Sequence, residues 1–424
     1  MIKILQVRNV DTFVESRRQK TSQKDRKIVQ AILDDVRKNG DSAVKKYEQK
    51  FNGRKTSQLR VSENEIKKSE KKLNLEQKVA LGSTYTGVFG TELMYRDEIE
   101  KANSIFRNSI IKKSFVPIPS VGCYVPGGKA RYPSSVIMSV SPARAAGVKR
   151  IVVVSPPGPD GNIDPMTLAA AKMCGATEIY KVGGAQAIAA LVYGTKSISK
   201  VDKIIGPGGK FVSIAKAIVS EETSIDMIAG PTELGIIADS SANPELVALD
   251  LISQAEHSND TMCFVLTTSK SMANQIQKSL EKLIPIVERS MIVKQSISKN
   301  GFIAICKDQK EMIDLANKIA PEHMELMVKK AKALSKKITG PGLVLIGNNT
   351  PSAATDYGLG TNHILPTNGF GRTRGGLSVL DFLKLQTVIE SKKSVIRRNI
   401  DIVKEFSDAE GLPNHYKAVE RRLK

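Results

Sequence analysis

Arg150-Ile151-Val152-Val153-Val154 reads as a buried strand whose last four residues are all β-branched. A loop rich in Pro, Gly and Asp follows it, then a helical stretch from Pro165 to Cys174, then Glu178-Ile179-Tyr180-Lys181-Val182 running into Gly183-Gly184-Ala185-Gln186. Two short strands separated by a helix form a βαβ unit, and the consecutive apolar residues Ile151 to Val154 mean both faces of the sheet are covered. The rhythm extends outward in both directions. Upstream, Gly122-Cys123-Tyr124-Val125-Pro126-Gly127-Gly128 reads as a strand entering a glycine turn, and a helix follows Tyr132-Pro133 to about Ala146. Downstream, Lys203-Ile204-Ile205 leads into Gly206-Pro207-Gly208-Gly209 and a helix beginning near Phe211. Strands alternating with helices at this spacing predict a parallel sheet.

The rhythm resumes at Leu234-Gly235-Ile236-Ile237-Ala238. A helix ending near His257, a strand from Met262 to Leu266, a helix from Met272 to Glu288, and strands at 301–305 and 343–346 follow. The fold class expected is α/β, with two doubly wound, incomplete Rossmann-like parallel-sheet domains and a helical C-terminal arm. The divisions expected are an N-terminal segment at 1–20, a large α/β domain from 21–115 and 231–375, an inserted α/β domain at 116–230, and an arm at 376–424. Before the first sheet, Lys24 to Lys38 is an amphipathic helix with Val29, Ile32, Leu33 and Val36 on one face. Asn39-Gly40 is its stop, and Asp41 is the expected N-cap of the next helix.

Composition narrows the function. With 424 residues the chain can bury two or three cores, and no apolar run approaches the ~20 residues a bilayer span needs. The N-terminal residues Met1 to Arg8 alternate like a strand and lack a signal-peptide core, so a cytoplasmic location is expected. Cys123, Cys174, Cys263 and Cys306 form no CxxC pair, which speaks against a disulfide framework or a zinc knuckle. The net charge of +21 comes from lysines mixed with glutamates on helical patterns, without tryptophan or a nucleic-acid module. Solvated helix faces are therefore expected, and neither nucleic acid nor membrane is an expected partner.

The four histidines, His257, His323, His363 and His415, all fall in the last 170 or so residues, beside acids, amides or glycines. Gln254 and His257 are three apart and share one face of a helix or its last turn. They could hold a metal, or His257 could simply sit where the helix dipole favours a cation. Pro321-Glu322-His323-Met324-Glu325 sets a carboxylate beside an imidazole; the two can divide acid–base work, or mark an incidental helix-to-strand junction. Asp356-Tyr357-Gly358-Leu359-Gly360-Thr361-Asn362-His363 and Ala409-Glu410-Gly411-Leu412-Pro413-Asn414-His415 are polar loops that could carry sites or merely face solvent. The glycine turns at 126–128, 183–184 and 206–209 could present N–H groups to phosphates, but none matches the full GxGxxG fingerprint.

Together these motifs, with Ala229-Gly230-Pro231-Thr232-Glu233 and Ser253-Gln254-Ala255-Glu256-His257, run in order along nearly the whole chain and resemble the histidinol dehydrogenase family. The resemblance implies a homodimeric, zinc- and NAD-dependent oxidation of L-histidinol to L-histidine through the aldehyde, with two NAD⁺ consumed and one Zn²⁺ per subunit. By matching position, Gln254, His257, Asp356 and His415 would hold zinc, and Glu322 and His323 would be the acid–base pair. Thr232, His363 and Glu410 would join the zinc ligands and His323 around the substrate. Tyr124 and Gln186 would meet NAD in the 116–230 domain. The arm would carry Glu410 and His415 into the partner's site. Gly209 stands where the family usually has an asparagine, and Thr232 where serine is frequent. The alternatives are a related dehydrogenase of another small alcohol, or a basic binding protein on the same fold. A thiohemiacetal on Cys123 is a less favoured route, because no base for the thiol is evident.

Overall fold

The computed structural model describes residues 1–18, 22–53, 58–104, 111–127 and 131–424; Gly128 of the first glycine turn lies outside them. The strands are, in chain order, β1 (Lys3–Leu5), β2 (Ile111–Pro117), β3 (Ser120–Tyr124), β4 (Arg150–Ser155), β5 (Glu178–Lys181), β6 (Lys203–Ile205), β7 (Ser224–Ile225), β8 (Glu233–Ala238), β9 (Met262–Thr267), β10 (Phe302–Ile305), β11 (His323–Met327), β12 (Leu343–Ile346) and β13 (Leu383–Ile389). They form a five-stranded parallel sheet in the order β5-β4-β3-β6-β7 and a six-stranded parallel sheet in the order β1-β10-β9-β8-β11-β12. β2 and β13 make a separate antiparallel pair.

The apolar runs predicted this covering of the sheets. On the five-stranded sheet, Val121, Cys123, Ile151, Val153, Ile179 and Ile205 face one core with the helices Pro133–Ala146 and Pro165–Cys174. Tyr124, Val152, Val154, Tyr180 and Ile204 face another, with the helices Gly184–Tyr193 and Lys210–Val219. Successive strand side chains point to opposite faces, so continuous apolar sequence is what two covered faces require. The six-stranded sheet is filled in the same way. Leu234, Ile236, Val265 and Ile303 lie on one side, and Phe264, Phe302, Met324 and Leu326 on the other.

Several elements differ from expectation. The helices of residues 23–52 bury Val29, Leu33, Val36, Val44 and Tyr47 against the five-stranded sheet. The helix Leu75–Ser104 puts Leu81 and Val88 into that sheet's other core, so these segments pack with 116–230 and not with the six-stranded sheet. Sequence order conceals this, because an amphipathic face says that it is buried but not against what. Asp41 is the first residue of its helix and Gly40, at φ 53°, is the cap. Gly40 is free to adopt that angle where an aspartate is not. Between Met272 and Glu288 the helix stops at Leu283, and a second helix, Ser290–Asn300, goes unpredicted. From Gly376 onward the chain is not all helix: β13 precedes the helices Lys393–Ala409 and Pro413–Glu420. No helix among the described residues is long and apolar enough to cross a membrane.

Candidate active site

One cavity of about 890 Å³ opens where the two sheets meet. The five-stranded sheet contributes its C-terminal edge, with Pro126 after β3 and Pro207, Gly208 and Gly209 after β6. Ligand sites of open parallel sheets normally lie at that edge. The six-stranded sheet contributes the opposite edge. Thr232 precedes β8, Glu322 precedes and His323 opens β11, Gln254 sits in the last turn of the helix Pro244–Ala255, and His257 follows that helix on the way to β9. At the start of a parallel strand, backbone N–H groups project beyond the ladder and need acceptors. Here carboxylates supply them.

Glu322 and His323 lie side by side in this wall and are almost wholly enclosed, 7% and 2% exposed. The Glu322 carboxylate accepts from the Glu233 N–H (3.1 Å) and from the Thr232 hydroxyl. Burial nevertheless pushes its carboxyl up to about 8. Burial drives His323 the other way, down to about 3, so its imidazole is neutral. Nδ1 of His323 lies 3.8 Å from Glu322 Oε2, and neither ring nitrogen makes a well-formed hydrogen bond to the protein, although the Glu233 backbone is near enough to favour the protonated ring slightly. Buried polar atoms are rarely left so, and these two border the cavity.

Thr232 links Glu322 to the neighbouring helix. Its hydroxyl hydrogen goes to Glu322, so its oxygen accepts, and the donor is Gln254 Nε2 at 2.6 Å. That commits the amide nitrogen of Gln254 and leaves its carbonyl oxygen unclaimed by Thr232. His257 is open to the cavity yet crowded by its walls. Desolvation and the Arg289 charge keep its imidazolium below the ordinary pKa. Burial raises the Asp356 carboxyl to about 7. His363, driven down to about 4 by burial, has Nδ1 3.2 Å from the Asp356 carbonyl oxygen and Nε2 3.4 Å from Ser135 Oγ. A carbonyl only accepts, so Nδ1 carries the proton and Nε2 receives one from Ser135.

The cavity thus gathers Thr232, Gln254, His257, Glu322, His323, Asp356 and His363 from the sequence expectations. It does not gather Glu410 and His415, which lie on the exposed C-terminal helices outside its lining. Tyr124 and Gln186 also lie outside the lining and are buried. Tyr124 Oη accepts from the Gly184 N–H at 3.1 Å, and Gln186 Nε2 donates to Glu48 at 2.7 Å. Glu48 also takes the Gly183 N–H at 2.9 Å. An internal carboxylate therefore occupies the helix start that the turn at 183–184 could have offered to a phosphate. The turn at 206–209 does line the cavity. It is held from behind by Asp226, which accepts from the Gly206 N–H at 2.8 Å, and by Lys216, which donates to the Gly206 carbonyl at 2.9 Å.

Three participants were not singled out from sequence. Ser135 follows an ordinary helix-starting proline. Arg289 holds a left-handed backbone (φ 58°) at the head of the unpredicted helix. Glu48 is one of two acids on a helix that also carries three lysines, with nothing in the sequence to set it apart. Cys123 is fully buried and its thiol is pushed well up, so it is no nucleophile. Among the described residues, no group of three or more His, Cys, Asp or Glu side chains is arranged to hold a metal. His257 and Asp356 are the two cavity members of the expected set that have those side-chain types; Gln254 is an amide and His415 lies elsewhere.

A buried carboxyl and a neutral imidazole lie side by side in a cleft between two parallel sheets, an arrangement of the kind α/β enzymes use for acid–base work. The histidinol dehydrogenase family model matches residues 15–423, and the chain belongs to that family. It is 42% identical to the histidinol dehydrogenase of Oceanobacillus iheyensis over 92% of this chain and 91% of that protein. With the one from Pelagibacter ubique it shares 39% over the whole of both chains. The crystal structure of histidinol dehydrogenase from Elizabethkingia anophelis superposes with a TM-score of 0.91 at 33% identity, covering 99% of this chain and 96% of that one. The family is one of oxidoreductases that act on histidinol in histidine biosynthesis.

Proposed function

We propose that this chain oxidises L-histidinol to L-histidine through the aldehyde, with zinc bound at the cavity and two NAD⁺ reduced. The observation that carries the reading is His323: a buried, neutral imidazole on the cavity wall with neither nitrogen in a well-formed hydrogen bond to the protein. Such a group is poised to accept a proton from a bound molecule. His323 takes the alcohol proton as the first hydride leaves the carbon. Glu322 then removes a proton from the water that adds to the aldehyde, giving a hydrated carbon that carries a second hydride. A carboxyl brought up to about 8 is a base matched to that task near neutral pH. His323 accepts the hydrate's proton as the second hydride departs.

The donor set suits zinc. Gln254 has its nitrogen engaged and its oxygen left over, His257 is neutral, and Asp356 is a carboxylate desolvated by its surroundings. His415 would complete the set. Zinc, when bound, supplies a fixed charge that anchors the substrate's imidazole and amine, and it leaves the electrons to NAD⁺ because it has no redox chemistry.

We further propose a homodimer in which His415 and Glu410 act in the partner's site. Ile402 and Phe406 on the helix Lys393–Ala409 are 56% and 65% exposed, as befits a face made for a second subunit. Purified protein supplied with zinc, NAD⁺ and histidinol should yield two NADH per histidine and little free aldehyde. The Glu322→Gln variant should slow histidinal oxidation more than histidinol oxidation. Slowing confined to the alcohol step would overturn the assigned roles.

A further inference from the structure

Two glutamates open neighbouring strands of the six-stranded sheet. Glu233 begins β8 and Glu322 immediately precedes β11, with Leu234 opposite His323 in the ladder. Their hydrogen bonds are reciprocal. The Glu233 N–H donates to Glu322 Oε2 at 3.1 Å, and the Glu322 N–H donates to Glu233 Oε2 at 3.3 Å. The other oxygen of Glu233 accepts from the Asn368 N–H at 3.0 Å. Both oxygens of Glu233 thus face donors, which favour its ionised form although burial raises the carboxyl to about 7. The cation that acts on it is Arg18, from the chain's N-terminal part, which borders the same small cleft and donates to the Asn368 carbonyl. Glu233 is buried and is absent from the lining of the large cavity, so it does not touch what binds there.

A buried carboxylate beside another is costly, and a neutral side chain would satisfy the fold more cheaply. What Glu233 adds is a fixed anchor. It binds the backbone of Glu322 and the corner at Asn368, which itself sits at φ 56° beside the cavity-lining Thr367. We infer that Glu233 is a positioning residue for the reaction, holding the carboxylate of Glu322 toward the cavity, with Arg18 as its countercharge. The inference rests on the reading of Glu322 as the base that activates water.

The test uses full-length, zinc-loaded protein, with histidinol and histidinal oxidised separately across pH. Glu233→Gln keeps the shape but turns one acceptor oxygen into an amine that faces an N–H donor. The histidinal step should slow about tenfold, the effect of one lost hydrogen bond of ordinary strength. KM for histidinol and the alcohol step should stay unchanged. The acid limb of the histidinal step should move to lower pH, because a like charge beside Glu322 has been removed. A merely structural role would not move that limb. Arg18→Gln keeps a donor for Asn368 and removes only the charge, so it too should slow the histidinal step with KM unchanged. It serves as the second variant should Glu233→Gln fail to fold. Glu322→Gln is measured in parallel. If it slows the histidinal step while folded Glu233→Gln, or Arg18→Gln in its stead, leaves rate and limb as in wild type, the positioning role is wrong and the reading of Glu322 stands. If Glu322→Gln leaves the histidinal step untouched, both fall.

Discussion

Thr232 joins Glu322, the proposed base, to Gln254, a proposed zinc ligand, and its removal has a calculable consequence. Its hydroxyl donates to Glu322 Oε2 and accepts from Gln254 Nε2. A hydrogen bond to a charged acceptor contributes roughly 1.5–3 kcal/mol, and each pKa unit corresponds to about 1.36 kcal/mol. Because this bond favours the ionised form of Glu322, Thr232→Val should raise its pKa by roughly one to two units. The direction matters: the carboxyl already stands at about 8, above its ordinary value, so a step that needs it ionised quickens as pH rises through that range. In the valine variant the acid limb of histidinal oxidation should move up by the same one to two units, with a roughly 10- to 100-fold loss on its low-pH side. Thr232→Ser keeps the hydroxyl and should behave like wild type. Stopped-flow NADH formation from histidinal, from pH 6 to 10, is the assay. Zinc content measured alongside separates the effect from a loosened Gln254. A Thr232→Val enzyme with full zinc and an unmoved limb would refute the linkage.

His257→Ala should lose bound zinc and most activity while circular dichroism stays that of the folded protein, since a catalytic metal contributes less to folding than a structural one. Elemental analysis showing full occupancy would remove His257 from the ligand set. Mixing inactive His323→Ala with inactive His415→Ala should recover up to roughly a quarter of wild-type sites through heterodimers with one intact site. No recovery in a mixture shown to contain heterodimers would place His415 in its own subunit's site. Away from the cavity, burial raises the Glu92 carboxyl from 4.5 to about 7 while it accepts the Val379 N–H at 2.6 Å. The folded state then binds more protons than the unfolded one between those values, so stability falls as pH rises through that window. Glu92→Gln should be more stable than wild type at pH 8 by up to about 3 kcal/mol and no more stable at pH 4, read from urea unfolding.

The sheets were legible because parallel strands covered on both faces are written as unbroken apolar runs, and Ile151 to Val154 or Leu234 to Ala238 admit little else. What covered them was not. The face of Val29, Leu33 and Val36 announces burial, but the five-stranded sheet it packs on comes about a hundred residues later in the chain. β13 is missed for a related reason: it pairs with β2, apart from both parallel sheets, so it falls outside the strand–helix rhythm that made the other strands legible. The break between the helices Lys270–Leu283 and Ser290–Asn300 is set by Pro285 and by Arg289 in a left-handed conformation, and arginine gives no warning of that.

The site divides along the same line. Glu322-His323 and Gln254-x-x-His257 are local patterns whose members meet in the cavity because one strand start or one helix end holds them. Sequence spacing does not say that Glu233 is tied to Glu322, or that Glu48 fills the helix start at Gly183, since each pairing joins residues about 90 to 135 positions apart. Both use a carboxylate to satisfy backbone N–H groups left at the start of a strand or helix. The strand starts of the six-stranded sheet carry the proposed acid–base pair, opposite the edge where ligands of parallel sheets usually bind. The five-stranded sheet keeps to the usual edge and faces it across the cavity. On the proposed reading, a substrate held between them meets Glu322 and His323 on one side and the glycine turn at 206–209 on the other. That asymmetry suits a reaction in which a proton and a hydride must leave the same alcohol in different directions.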